Sequence, residues 1–423
     1  LGTYKSAIVA GAGVIGLACA FRLQEAGYAT TLFDPAPARP SASWGNAGHL
    51  AVEQVEPLAS RRMIASAPGR LFALGGALDL PPSQIAAWGP FLARFLRASA
   101  PARFAAGKAA LAAWLEAAIP AWRRLAADIG APDLVREDGH YVVWGSARAA
   151  ARGEAAWRRV GAATAAFRPA SPAERARLET MIRAPLAGAI RFERSGQIAD
   201  LVALRQALES AFERAGGRRR KQAVARLDVR NDAARAIDET GGEHQADIVL
   251  VAAGTGARAL LEPLGVRVPV VAERGYHIEA SAGGWPAGFP PLVFEDRAVI
   301  ATRFARSLRL CSFVEFARPD SPPDPRKWRR LRRHAAELGL PLEEPTREWM
   351  GARPTLPDYL PAVGASPAAS GLLYAFGHQH LGLTLAAVTG EAVAALAQER
   401  APAVDPAPFD LARFGRGSLY KEQ

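Results

Sequence analysis

The sequence predicts a mixed α/β fold that opens on a parallel βαβ unit, and three observations carry that reading. The apolar run Ala7-Ile8-Val9-Ala10 leads into a glycine turn, Gly11-Ala12-Gly13-Val14-Ile15-Gly16, and then into an amphipathic helical stretch over residues 17–26. A second β-leaning run, residues 29–33, ends on Asp34. Far downstream, residues 247–256 read as a buried strand ending in small residues, while 139–145 and 308–314 alternate as strands of a second, antiparallel sheet.

The turn comes first. G-x-G-x-x-G between a strand and a helix, with an acid about 20 residues on, is a dinucleotide-binding pattern. Gly11 permits the tight turn, Gly13 lets backbone approach a pyrophosphate, and Gly16 lets the helix lie close on the strand. The helix then points its positive end at phosphate, and Gly27 stops it as a left-handed cap. Asp34 is placed to accept hydrogen bonds from ribose hydroxyls.

The segment beyond Asp34 favours FAD over NAD. After Asp34 and Pro35 the chain does not return at once to a third strand. It runs through Ala42 into Ser43-Trp44-Gly45-Asn46-Ala47-Gly48-His49-Leu50. This small-residue loop either lays its backbone against a flat ring system or is an ordinary surface loop. The strand end over residues 251–256, with Gly254, resembles the second, shorter fingerprint of FAD enzymes.

Composition sets the outer bounds. With 423 residues, 50% of them hydrophobic, the chain is long enough for two or three domains and is not intrinsically disordered. The net charge is +11, but only five of the 52 basic residues are lysines, leaving 47 arginines. An arginine bias of this kind arises from a GC-rich genome, or else the charge serves an anionic partner. No nucleic-acid-binding motif accompanies the basic stretches at 218–221 and 326–333, so no nucleic-acid partner is expected. Two cysteines, Cys19 and Cys311, exclude a disulfide framework and a cysteine-rich metal site, and no metal is expected. No uninterrupted apolar run reaches the ~18 residues of a membrane span. The expected location is therefore the cytoplasm, with peripheral contact to an anionic inner membrane face left open through the basic helix 326–333.

Helical periodicity marks residues 84–96, 105–130 and 201–215, and proline-rich stretches at 319–325 and 341–345 flank the helix 326–338. Cofactor features recur near residues 10, 45, 225, 254 and 380, so the cofactor domain must be discontinuous. The division expected is 1–80, 195–270 and 350–423 for a Rossmann-like FAD-binding domain, and 81–194 with 271–349 for an antiparallel substrate-binding domain.

The C-terminal part adds W-x-G-x-R-P-x-x-P-D over residues 349–358 and G-H-x-x-x-G-x-T over 377–384. With the first fingerprint, the loop 43–50 and the strand end 251–256, these motifs span nearly the whole chain. They resemble the FAD-dependent D-amino-acid oxidoreductase superfamily, which includes glycine and sarcosine oxidases and D-amino-acid dehydrogenases. Arg274-Gly275-Tyr276-His277 and the W-M-G-x-R-P form look closest to bacterial D-amino-acid dehydrogenases, including those acting on D-hydroxyproline.

The resemblance implies roles. Val14, Ile15, Asp34 and Pro35 meet the ADP half, and Val224 offers backbone atoms to adenine. Ala42, Ser43, Asn46, Ala47, Gly48 and His49 lie along the pyrophosphate and isoalloxazine. His378, Gln379, His380, Leu381, Gly382, Leu383 and Thr384 cover the pyrimidine edge, where a helix starting near Leu383 presents its positive end. Neither cysteine lies in the W-x-G-x-R-P region, so the FAD is expected to be non-covalent.

The implied chemistry is oxidative deamination of a D-amino acid, including a cyclic one such as D-hydroxyproline. Hydride passes from the α-carbon to flavin N5, with a quinone or O₂ as final acceptor. The alternatives are a glycine- or sarcosine-type oxidase using O₂ and a flavin-binding subunit of a hetero-oligomer. Arg353 is expected to fork onto the substrate carboxylate. Tyr276 and His277 either line the pocket or pack at the domain interface. His49 or His380 either deprotonates the incoming ammonium or bonds flavin and backbone. Relatives often carry a substrate tyrosine on the strand here occupied by residues 297–300, which has none, so Arg303 or Tyr276 is expected to take over part of carboxylate recognition.

Overall fold

The computed structural model describes residues 5–35, 41–342 and 344–415. Six strands form the sheet that carries the glycine turn: Arg218–Arg220, Ala29–Phe33, Ser6–Ala10, Ile248–Val251, Leu372–Phe376 and Ala362–Ala365, in that spatial order. The first five are parallel and the last is antiparallel. Ile248–Val251 and Leu372–Phe376 are buried at every position, as strands covered on both faces must be.

One face is covered by the helices Val14–Glu25, Leu201–Arg214 and Gly382–Ala397, which share a core with the strands. The first and last helices approach closely, for a Cβ at Gly390 would lie 3.0 Å from the Ala18 carbonyl oxygen. Helix Pro101–Asp128 falls in the stretch expected to belong to the second domain, yet Trp114, Leu115 and Trp122 pack into this same core. The other face is covered by an antiparallel sheet, Val224–Arg230, Ala233–Asp238 and Glu243–Gln245, and by the short helix Ala257–Leu261.

The second large sheet runs Arg347–Thr355, Val271–Ser281, Ser307–Phe316, Val299–Arg303, Leu292–Phe294, His140–Trp144, Gly188–Phe192 and Phe167–Pro169, with Leu78–Asp79 added beside Ser307–Phe316. It is antiparallel except where Leu292–Phe294 meets His140–Trp144 and where Leu78–Asp79 joins. These partners are far apart in sequence, so no hairpin dictates their direction. Four helices escape the periodicity reading: Arg61–Arg70, Ala147–Arg158, Pro172–Met181 and the short Ala257–Leu261. Arg61–Arg70 buries no residue in the core, and its few apolar side chains are too sparse among arginines to mark a helical period.

The basic helix forms as Pro325–Leu338 and buries Lys327, Trp328, Leu331, Ala335 and Leu338. The Lys327 ammonium is inaccessible to solvent and lies 2.6 Å from Asp79, 3.2 Å from Asp324 and 3.2 Å from Glu315. Arg332 pairs with Glu344 and Glu348, Arg333 with Glu337, and Arg326 with Asp324. Much of this helix's charge is therefore matched within the chain. Among the described residues one helix, Gln379–Ala397, is apolar and long enough to cross a membrane, and 72% of it is buried inside the protein.

The Lys327 cluster yields a stability prediction. Lys327→Ala leaves Asp79 without a cation and takes one of two cations from Glu315 and Asp324, and breaking a buried pair in this way costs about 3–5 kcal/mol. Urea unfolding followed by circular dichroism should show a loss of that order.

Candidate functional site

A cavity of about 1140 Å³ opens at the C-terminal ends of three parallel strands, where Ala10, Ala252 and Phe376 meet its wall. Ligands bind at this edge of open α/β sheets. Gly11 turns the chain at φ +109°, a conformation side chains rarely adopt, and a Cβ there would lie 2.6 Å from the Ala252 carbonyl oxygen. A Cβ at Gly16 would lie 1.8 Å from the Gly11 oxygen, so only glycine lets the helix start this close. Asp34 accepts from the Ala12 N–H at 2.5 Å, and burial raises its pKa. The Ser43 hydroxyl accepts from the Val14 N–H at 3.0 Å, which ties the second loop to the start of the helix. Residues 36–40 of that predicted loop lie outside the described residues.

The loop itself is held from the second sheet. His277 Nδ1 meets the Gly45 carbonyl at 3.0 Å while its ring stacks on Trp349. Arg309 donates to the Asn46 carbonyl at 2.5 Å, and Asn46 Oδ1 accepts from the Gly48 N–H at 2.8 Å. Past the loop, the Ala51 N–H donates to the Thr384 hydroxyl at 2.9 Å, and Trp122 Nε1 donates to the Leu383 carbonyl at 3.0 Å.

Most of the residues expected to hold a cofactor line this one cavity. Gly11, Gly13, Val14, Ile15, Asp34 and Pro35 form one end, and Ala42, Ser43, Asn46, Ala47 and His49 continue the wall. Val224, Gly254, His378, Gln379, His380, Gly382 and Leu383 complete it. Gly16, Gly48, Leu381 and Thr384 are not on its surface and act behind it. The donor set fits FAD: a glycine cradle that any Cβ would fill, an acid at its rim, and two orphaned buried atoms, Ser41 Oγ and His378 Nδ1, without partners among the described residues. Cys311 lies on the cavity wall despite its place upstream of the W-x-G-x-R-P motif, and burial pushes its thiol up to about 12.

Arg353 lies on the same wall. Its Nη1 donates to Glu273 Oε1 at 2.9 Å, and Tyr359 donates to Glu273 Oε2 at 2.9 Å. The guanidinium covers Gly275, where a Cβ would come within 2.1 Å of Nη2. Glu273, 1% exposed, thus fixes one edge of the fork and leaves the rest to the cavity.

Tyr276 is among the residues lining the cavity, but its hydroxyl is engaged elsewhere. On a strand alternate side chains face opposite sides, and Tyr276 shares the side of Arg274, away from Gly275 and Arg353. Its hydroxyl donates to Glu315 at 2.5 Å and accepts from Arg274 at 2.9 Å and the Asp324 N–H at 3.1 Å. Burial and Glu315 push its pKa up. The hydroxyl is consumed by the Lys327 cluster. Tyr276 still contributes to the cavity wall, whereas Arg303 does not and donates to the carbonyls of Trp285 and Phe304.

The histidines divide. His49 Nδ1 lies 3.2 Å from the Gly196 carbonyl and Nε2 lies 3.0 Å from Glu53 Oε1. Both ring nitrogens are thus engaged by protein oxygens, and neither is left to face a substrate ammonium. His380 lines the cavity, and burial lowers it to about 4, so it is neutral at pH 7 with a lone pair to offer.

Sequence reasoning missed Glu53, Glu273 and Tyr359, and the apolar far wall of Met63, Ile64, Trp88, Phe91 and Phe95. Glu53 had a faint signal, a lone acid in the run His49-Leu50-Ala51-Val52-Glu53. Burial pushes its carboxyl up, but His49 and His140 outweigh that and hold it at about 2. The ligand atoms of His49, Glu53 and His140 lie within 4.8 Å of one another, a spacing already explained by the His49–Glu53 hydrogen bond.

Residues 6–396 match the family described as FAD dependent oxidoreductase, and the chain belongs to that family. It is an FAD-dependent oxidoreductase. A D-amino-acid oxidase of Bradyrhizobium diazoefficiens is 28% identical over 96% of this chain and 98% of its own. D-amino acid dehydrogenase 2 of Ralstonia nicotianae is 30% identical over 96% and 99%. The solved glycine oxidase of Geobacillus kaustophilus covers 97% of this chain and 98% of its own, with a TM-score of 0.71 at 23% identity.

The site's geometry makes two predictions. Gly16→Val forces the helix off the turn and should weaken FAD binding at least about tenfold, or about 1.4 kcal/mol, measured by flavin-to-protein absorbance during dilution. The second concerns acid. Burial holds His140 and His378 at about 3, against 6.5 for an exposed ring. Below about 6.5 the unfolded chain binds protons that the native rings refuse, so stability falls as pH drops toward about 3, on the order of 1.4 kcal/mol per unit per ring. Urea midpoints at pH 7 and pH 5 should differ in that direction.

Proposed function

We propose that this enzyme oxidises the carbon–nitrogen bond of a D-amino acid, with residues 1–80, 195–270 and 350–423 holding non-covalent FAD, helix Pro101–Asp128 packed behind them, and the remainder closing over the substrate. The observation that carries this reading is Arg353, fixed by buried Glu273 and Tyr359 on the same cavity wall as the dinucleotide cradle. Bound FAD supplies the hydride acceptor, and the chain's own residues bind, orient and desolvate. Arg353 takes the substrate carboxylate through its free edge, which sets the α-carbon at a fixed distance from the wall. His380, neutral and on that wall, can accept a hydrogen bond from the substrate amine, although a ring lowered to about 4 is a weak base. The apolar far wall favours an uncharged substrate side chain, and the relatives named as D-amino-acid oxidase and dehydrogenase support the D series. The Cys311 thiol stays protonated at neutral pH, which suits a flavin held without a covalent bond.

The test is anaerobic flavin bleaching of the FAD-loaded enzyme with D- and L-amino acids, glycine, sarcosine and D-hydroxyproline. Bleaching confined to L-amino acids, or none at all, overturns the proposal. A peroxide assay on the same mixtures separates O₂ from a quinone as acceptor. Arg353→Lys keeps a cation beside Glu273 but loses the planar fork. It should lower kcat/KM at least about tenfold while FAD content stays unchanged.

A further inference from the structure

Glu53 is a carboxylate on the cavity wall to which neither cofactor binding nor the Arg353 fork gives a role. It is 2% exposed, and Oε1 is engaged by His49 Nε2 at 3.0 Å, with His140 Nε2 at 3.9 Å. Oε2 is buried and has no partner among the described residues. Both histidines are locked from behind, His49 Nδ1 by the Gly196 carbonyl at 3.2 Å and His140 Nδ1 by the Ser195 hydroxyl at 2.6 Å. The ring of His140 is also stacked on Phe192 at 4.6 Å. The carboxylate is thus held in place through one oxygen, while the other is buried against the cavity wall without a partner among the described residues. A buried charged oxygen without a donor is unfavourable unless a ligand supplies one.

Glu53 shares the cavity with Arg353, and His380 feels the charge of both. One cavity therefore presents a guanidinium and a carboxylate with one unpartnered oxygen, the two charges complementary to a zwitterion. We propose that Glu53 Oε2 is the amine subsite, accepting an N–H from the amino group of a substrate whose carboxylate lies on Arg353. This rests on the reading of the enzyme as an amino-acid oxidoreductase and adds the group that selects for the amine. Glu53 serves binding and orientation here. A carboxylate held ionised at low pH is a poor proton acceptor but a good partner for an ammonium.

The experiment compares wild type with Glu53→Gln, both FAD-loaded. The first reading is the half-saturating concentration for anaerobic flavin reduction by the amino acid that bleaches wild type fastest. The second is the Kd of benzoate, a carboxylate without an amine, from the shift of the flavin spectrum. The expected result is a rise of at least about tenfold in half-saturation with benzoate affinity within about twofold. Glu53→Asp, which keeps the charge but draws it back by one methylene, should fall between the two, and it carries the test if Glu53→Gln loses FAD. Unchanged half-saturation, or an equal loss of benzoate and amino-acid affinity, overturns the proposal and leaves the amino-acid reading standing. If no amino acid bleaches wild type, both fall together.

Discussion

Parallel pairing of Ser6–Ala10 with Ile248–Val251, and of that strand with Leu372–Phe376, is the constraint on which the rest of the molecule depends. The pairing brings three strand ends to one edge, and each end continues into a different part of the cavity wall: Gly11, then Ala252 to Gly254, then Gly377 and His378. None of these segments encloses anything alone. The cradle exists because residues hundreds of positions apart share a hydrogen-bonded register. The second sheet then closes the cavity with His277, Arg309 and Trp349 pressing on the loop at Gly45 and Asn46.

Buried charge is handled in two ways. Around Lys327 the cations and carboxylates satisfy one another, with Arg274, Glu315, Asp79, Asp324 and Tyr276 in one network. Such a cluster fixes how helix Pro325–Leu338 lies on the sheet, and pairs every charge in it within the chain. Around the cavity the pairing is incomplete by one partner. Arg353 is held by one edge only, and Glu53 by one oxygen only. Both groups are anchored by buried partners, so the unspent hydrogen-bonding capacity points at a ligand.

The parts legible in the sequence were those set by local backbone demands. The turn at Gly11, the small residues of the loop 43–50 and the strand end at 251–256 announce themselves because few residue types tolerate those geometries. Arg353 was legible through its flanking prolines and glycine. The partners of the Tyr276 hydroxyl were not legible, because a strand's register decides which side each residue faces, and a bulge beside Arg274 cannot be seen from composition. Glu53 and Glu273 were invisible for a related reason. Their importance lies in burial and in partners as distant as His140 and Tyr359. Arg61–Arg70 went unseen because its few apolar side chains mark no helical period.

The packing of helix Val14–Glu25 against Gly382–Ala397 has a consequence for biosynthesis. The first helix leaves the ribosome more than 350 residues before its partner. At about 5–20 residues per second that interval is roughly 20–70 s. Throughout it, Leu17, Ala18, Phe21 and Leu23, all buried in the finished protein, lack part of the native surface that covers them. The nascent chain cannot complete its cofactor cradle from the N-terminus onward. It must keep an apolar helix from sticking to other chains until the last helix emerges, which makes this fold a natural client for chaperones that bind near the exit tunnel.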